Sequence, residues 1–176
     1  REYLILSDDY VWEEDGKLHI EGGKETVIRC YPKLKDFSVL PDGFEACGLD
    51  HEFTLYRRRE KAEDTRVTVT EGTVGEDSRI YNLKITSPET WRDTILSLDF
   101  GGDKIEIFRD GEMLTDSYYT GEPVQISLRY FDFPQELQVK IYPLKEDAPR
   151  FLERWPQMKD GCACELYGVG VKNLVW

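Results

Sequence analysis

Tyr118 and Tyr119 stand just after Asp116 and just before Gly121, and Trp155 stands between Arg154 and Pro156. Flat rings beside a carboxylate suit a sugar, whose C–H face stacks on the ring while its hydroxyls seek a few convergent polar groups. Tyr118, Tyr119, Asp116 and Trp155 are therefore the candidate carbohydrate contacts, with Trp12 and Trp91 as further rings. The competing assignment is architectural: rings at a strand end also cap a sandwich core. Neighbouring residues on a strand point to opposite faces, so one of the two tyrosines must face inward.

Other chemistries are less well provided for. Retaining glycoside hydrolysis needs two carboxyl groups about 5 Å apart, one kept protonated. The chain has 35 acidic residues, and Asp99 and Asp103 flank Gly101-Gly102 while Asp8 and Asp9 are adjacent. Their settings mark them as turn, edge and loop residues, and no catalytic residue is assigned. Asp103, Asp110 and Asp116 could donate oxygen to a structural calcium ion, but no Asp-x-Asp-x-Asp-Gly loop occurs and no cofactor is expected. There is no Gly-x-Ser-x-Gly elbow and no phosphate-binding glycine loop before a helix. Cys30, Cys47 and the pair Cys162-x-Cys164 are expected as free or buried structural thiols: their even number permits two disulfides, but the chain is long enough to fold without them, and only His19 and His51 offer imidazoles to complete a metal site.

The formal net charge of -12 argues against nucleic acid and anionic membrane surfaces as partners. No apolar run approaches the roughly 20 residues of a membrane span. The chain opens on Arg1 with Tyr3-Leu4-Ile5-Leu6 close behind, which reads as a segment of a longer protein.

The elements that would position these residues are strands. Tyr3–Leu6, Tyr10–Trp12, Lys17–Glu21 after the Asp15-Gly16 turn, Thr26–Tyr31 before Pro32, and Phe53–Tyr56 follow one another at the spacing of a β-meander. Arg57 to Thr65 reads as a charged linker or hairpin tip. Beyond it Arg66–Thr70 and Ile80–Ile85 alternate, and Pro88–Trp91 could form one helical turn. Leu96, Leu98 and Phe100 share a strand face, and Gly101-Gly102 is expected to supply positive φ at a turn. Asp110-Gly111 is a two-residue hairpin signal that places Arg109 opposite Glu112, Phe108 opposite Met113 and Ile107 opposite Leu114. Val124–Leu128 and Leu137–Ile141 alternate, Ala148–Trp155 is expected to hold a short helix, and Val169–Val175 a terminal strand region.

Gly102-Asp103, Asp110-Gly111, Asp116-Ser117-Tyr118-Tyr119-Thr120-Gly121, Pro143-Leu144 and Ala148-Pro149-Arg150-Phe151-Leu152, in this order and spacing, resemble the C-terminal accessory region of bacterial β-galactosidase-like glycoside hydrolases of the family 35 type. The likeness runs over about residues 80–176, with Phe133-Pro134 a departure that shortens a connection; residues 1–65 match loosely, as a small preceding β-module. The resemblance implies a galactose-binding-like jelly roll beside a catalytic (β/α)₈ barrel. A barrel of 200 residues or more of alternating strand and helix is not in this chain, so the barrel's carboxylates have no counterpart here.

The expectation is thus an all-β chain with a small β-module and charged linker over residues 1–65 and a jelly-roll β-sandwich over 66–176. It would be a non-catalytic accessory segment that braces the parent's catalytic barrel domain or adds weak affinity for galactose-containing carbohydrate. An autonomous carbohydrate-binding module and a protein-interaction sandwich unrelated to sugar are the alternatives.

Overall fold

The computed structural model describes residues 2–36, 40–61, 63–75, 77–87 and 91–174. The protein is all-β, and among the described residues the helical structure is a single 3₁₀ turn at Arg129–Phe131. The chain forms two compact units, one from Arg1–Glu63, Glu89–Asp93 and Asn173–Trp176, the other from Asp64–Pro88 and Thr94–Lys172.

In the first unit, β1 (Leu4–Ser7), β4 (Glu25–Tyr31), β6 (Phe53–Arg59) and β5 (Glu45–Asp50) lie side by side in the order β1-β4-β6-β5. The strands β2 (Tyr10–Glu14) and β3 (Lys17–Glu21) form a separate hairpin. A plain meander is therefore not what forms, because the hairpin is inserted between two strands that pair with each other. Its turn is as the sequence required: Asp15 and Gly16 sit at φ 53° and 76°, the left-handed pair that matches strand twist. Alternate residues of the sheet, Thr26, Ile28 and Cys30 on β4 with Thr54 and Tyr56 on β6, face a core that includes Ile20, Leu34 and Phe44. Inside it, the Leu34 N–H donates to the Tyr56 hydroxyl at 3.1 Å.

A further reading of this unit needs correction. Arg57, Arg58 and Arg59 are strand rather than linker: they continue β6 opposite Val27, Thr26 and Glu25. Arg57 and Arg59 both reach the Glu25 carboxylate at 3.2 Å, so charge that reads as a solvated loop is partly neutralised across the sheet. The strand β5 has little strand propensity in its Glu-Ala-Cys-Gly sequence; it joins the sheet through an irregularity between Ala46 and Gly48.

The second unit is sandwich-like. One sheet takes the order β11-β10-β13-β8-β7, from β7 (Arg66–Val74), β8 (Arg79–Thr86), β10 (Lys104–Arg109), β11 (Glu112–Tyr118) and β13 (Glu136–Tyr142). The other takes β12-β9-β16, from β9 (Asp93–Gly101), β12 (Val124–Ser127) and β16 (Glu165–Leu174). A further short pair joins β14 (Leu144–Lys145) to β15 (Cys162–Ala163). Leu83, Ile105, Ile107, Val139 and Ile141 from the first sheet meet Leu96, Leu98, Phe100 and Ile126 from the second in one buried core. The terminal strand region reaches Leu174; Val175, and residues 88–90 of the expected helical turn, lie outside the described residues.

The Asp110-Gly111 turn has φ 51° and 83°, and Arg109↔Glu112 and Phe108↔Met113 pair as expected. Ile107 does not pair with Leu114. A bulge inserts Leu114, and Ile107 faces Thr115 instead. Because side chains alternate with period two, one extra residue turns the rest of the strand over.

The glycines at the β9–β10 turn serve a different purpose from the one expected. Neither Gly101 nor Gly102 has positive φ. A Cβ on Gly101 would collide with the Tyr167 ring, and one on Gly102 would lie 2.6 Å from both Ile141 Cγ2 and the Tyr142 carbonyl oxygen. Close approach, not turn conformation, requires glycine here. No helix forms over Ala148–Trp155, where the backbone is irregular. Pro149 biases Ala148 away from helical ψ, and the few residues left before Pro156 are too few to nucleate a helix.

Candidate functional site

The tight β9–β10 turn sets the first member of a polar network. With Gly102 against β13, the Asp103 N–H donates to the Tyr142 carbonyl at 2.8 Å. The Asp103 carboxylate then meets Arg150, which arrives on the irregular segment after β14. Arg150 Nη2 donates to Oδ2 at 3.0 Å, while Nη1 lies 2.9 Å from Oδ1 without a well-aligned hydrogen bond. The same guanidinium carbon sits 5.3 Å from the centroid of the Tyr118 ring, within cation–π range.

Lys104, next along β10, pairs in register with Tyr118 on one side and Tyr142 on the other. Its ammonium lies 2.9 Å from Glu106 Oε1 and 2.9 Å from Asp116 Oδ2. These two carboxylates hold the lysine above its ordinary pKa range. Tyr142 donates its hydroxyl to Glu106 Oε2 at 2.8 Å, and Lys140 lies 4.8 Å from the Tyr142 ring centroid. Burial pushes the Glu106 carboxyl up, and the hydrogen bonds from Lys104 and Tyr142 outweigh it, leaving the group below its usual range.

The sequence-selected residues are thereby sorted. Asp116 and Tyr118 share the outward face of β11 and meet in the Lys104 network. Tyr118 is 57% exposed. Tyr119 points the other way: its ring packs edge-on against Phe100 at 5.6 Å, and burial raises its hydroxyl pKa. It is a partly buried ring packed against the core. Trp155, 43% exposed, lies further along the Arg150 segment, next to Arg154, whose guanidinium pairs with Glu122 at 2.8 Å. Trp91 is buried and donates its indole N–H to the Glu63 carbonyl at 3.0 Å, so it is structural. Trp12 is 39% exposed. Of the oxygen donors considered for calcium, Asp103 and Asp116 are paired with Arg150 and Lys104, and Asp110 occupies the hairpin turn. The four cysteines are free thiols.

Arg150, Lys104, Glu106 and Tyr142 are site residues that the sequence did not single out. Their signal was partly present, since Lys104 and Glu106 alternate with Ile105 and Ile107. Which residues of β11 they meet depends on the bulge at Leu114. What results is an exposed Tyr118 ring on the outward face of the sheet, with Arg150 on Asp103 against it and Lys104 on Glu106 and Asp116 beside it.

The fold and this surface define an all-β protein with a sandwich-like unit and a polar-aromatic sheet face. Neither protein-family models, nor curated proteins, nor solved structures give a match to the chain.

Proposed function

We propose that this chain is a non-catalytic accessory segment of a larger β-galactosidase-like glycoside hydrolase, its second unit a galactose-binding-like jelly roll. On this reading it braces the catalytic barrel domain of the parent and adds a weak contact to galactose-containing carbohydrate. The observation that carries the bracing role is the outward face of the four-stranded sheet. Leu4, Leu6 and Tyr31 stand there 54%, 43% and 48% exposed, next to the half-buried Phe53 and Leu55. A contiguous apolar face of this kind marks a surface that a partner covers. The Tyr118 surface supports the carbohydrate contact and, if its affinity is high, favours the autonomous module.

Calorimetric titration with galactose-containing oligosaccharides tests the assignment. The expected result is weak binding, in the millimolar range, that Tyr118→Ala abolishes. Micromolar affinity would favour the autonomous module instead. Incubation with a nitrophenyl galactoside should release no nitrophenol; release that disappears on mutating the chain's own carboxylates would overturn the accessory role.

A further inference from the structure

A second surface, in the first unit, has a different chemistry. The Asp15-Gly16 turn fixes the β2–β3 register, so that Trp12 faces His19 and Glu14 faces Lys17. The two rings of the first pair stack, with centroids 5.3 Å apart and planes 18° from parallel. A cross-strand stack of this kind is a rigid plate, because each ring restricts the other's rotamers. Trp12, Lys17 and His19, with Leu40, Asp42 and Arg92, line a cleft of about 310 Å³. That is the lower end of the range for small-molecule sites, room for about one ring.

The charges are the informative part. The chain carries a net charge of -12, yet this cleft presents two cations and one carboxylate. Among the described residues neither Lys17 nor Arg92 has a carboxylate at ion-pair distance, whereas Arg29, Arg57, Arg59 and Arg79 all do. Two cations with no carboxylate at ion-pair distance among the described residues, beside an aromatic plate, suit an anion that also has a flat apolar face. Asp42 adds an acceptor for hydroxyl donors, and Leu40 an apolar wall.

We propose that this cleft binds an acidic sugar, a pyranose carrying a carboxylate. The ring's C–H face lies on the Trp12–His19 plate, the carboxylate is taken by Arg92 and Lys17, and ring hydroxyls donate to Asp42. The inference goes beyond the accessory role and does not depend on the Tyr118 surface, which lies in the other unit.

The test is calorimetric titration of the whole chain with glucuronate and galacturonate, against galactose, acetate and AMP. A uronate should bind about tenfold or more tightly than galactose, the worth of a charged hydrogen bond. Arg92→Gln should remove that advantage and leave galactose unchanged. Trp12→Ala should abolish uronate binding; Trp12→Phe, which keeps a ring in the hairpin, should weaken it severalfold with an unchanged circular dichroism spectrum. Tyr118→Ala should have no effect on uronate binding. Equal affinity for acetate and uronate, tighter binding of AMP, or uronate binding insensitive to Arg92→Gln each overturns the proposal. Loss of uronate binding in Tyr118→Ala would place it on the other surface and overturn it as well. A chain that binds uronate but no neutral galactoside sustains this site while removing the galactoside contact at Tyr118.

Discussion

The four-stranded sheet of the first unit and the five-stranded sheet of the second are built on the same alternation, each burying one face in its own core. They differ in how the other face is finished. On β10, β11 and β13 the outward positions are Lys104, Glu106, Asp116, Tyr118, Lys140 and Tyr142, tied together by hydrogen bonds, ion pairs and cation–π contacts. On β1, β4 and β6 the outward positions include Leu4, Leu6, Tyr31, Phe53 and Leu55, with the Arg29–Asp50 pair at 3.0 Å as polar relief. The first arrangement is complete in water. The second leaves apolar area in contact with solvent, which favours coverage by a partner. On the proposed function the two sheet faces would have different tasks, the five-stranded one a contact for a small polar ligand and the four-stranded one docking.

Three changes would break or sharpen that contrast. Gly102→Ala should have the largest effect, a loss of about 1–3 kcal/mol of stability, because its Cβ meets backbone as well as side chain and the turn that positions Asp103 must move. Urea unfolding measures it, and a change of less than about 0.5 kcal/mol, the range of an ordinary surface substitution, would show that the turn is not tightly packed.

Acid should discriminate next. The folded-state pKa of Glu106 is held below its unfolded value, so its contribution is fully present above the ordinary glutamate range of about 4.3 and is lost as pH falls through the lower folded value. The wild-type melting temperature should therefore drop more steeply between about pH 5 and pH 3 than that of Glu106→Gln. Parallel curves would mean that the Lys104–Glu106–Tyr142 network adds no stability. The smallest effect on folding is expected for Leu4→Ser, Leu6→Ser and Tyr31→Ser, each within about 0.5 kcal/mol. Their effect on association should be visible: sedimentation should show less self-association at high concentration than in the wild type. Unchanged association would remove the support for a docking face.

Much of the strand framework was legible because period-two alternation and turn chemistry are local. Leu96, Leu98 and Phe100 point to the core as their spacing requires, and Asp110-Gly111 makes the hairpin that its φ preferences dictate. The Arg57–Arg59 strand was hidden because its neutralising partner, Glu25, lies 34 residues away along the chain. The network around Tyr118 was half legible: the outward residues of β10 alternate visibly, but Arg150 comes from a segment that reads as helix and is instead irregular, its N–H turned back to the Ala148 carbonyl and its guanidinium on Asp103.

The sequence by itself determined that the chain is β, that a hairpin turns at Asp110-Gly111, and that Tyr118 and Tyr119 face opposite ways. Which of the two faces water was decided by tertiary structure. Without the bulge at Leu114, Asp116 and Tyr118 would fall on the core side of β11. With it, Thr115 and Ser117 take that side, Tyr119 closes on Phe100, and Tyr118 stands beside Lys104 and Arg150. Alternation is the same on either side of an inserted residue, so no local pattern reveals the insertion; it is fixed by how β11 packs along β10 over the shared core.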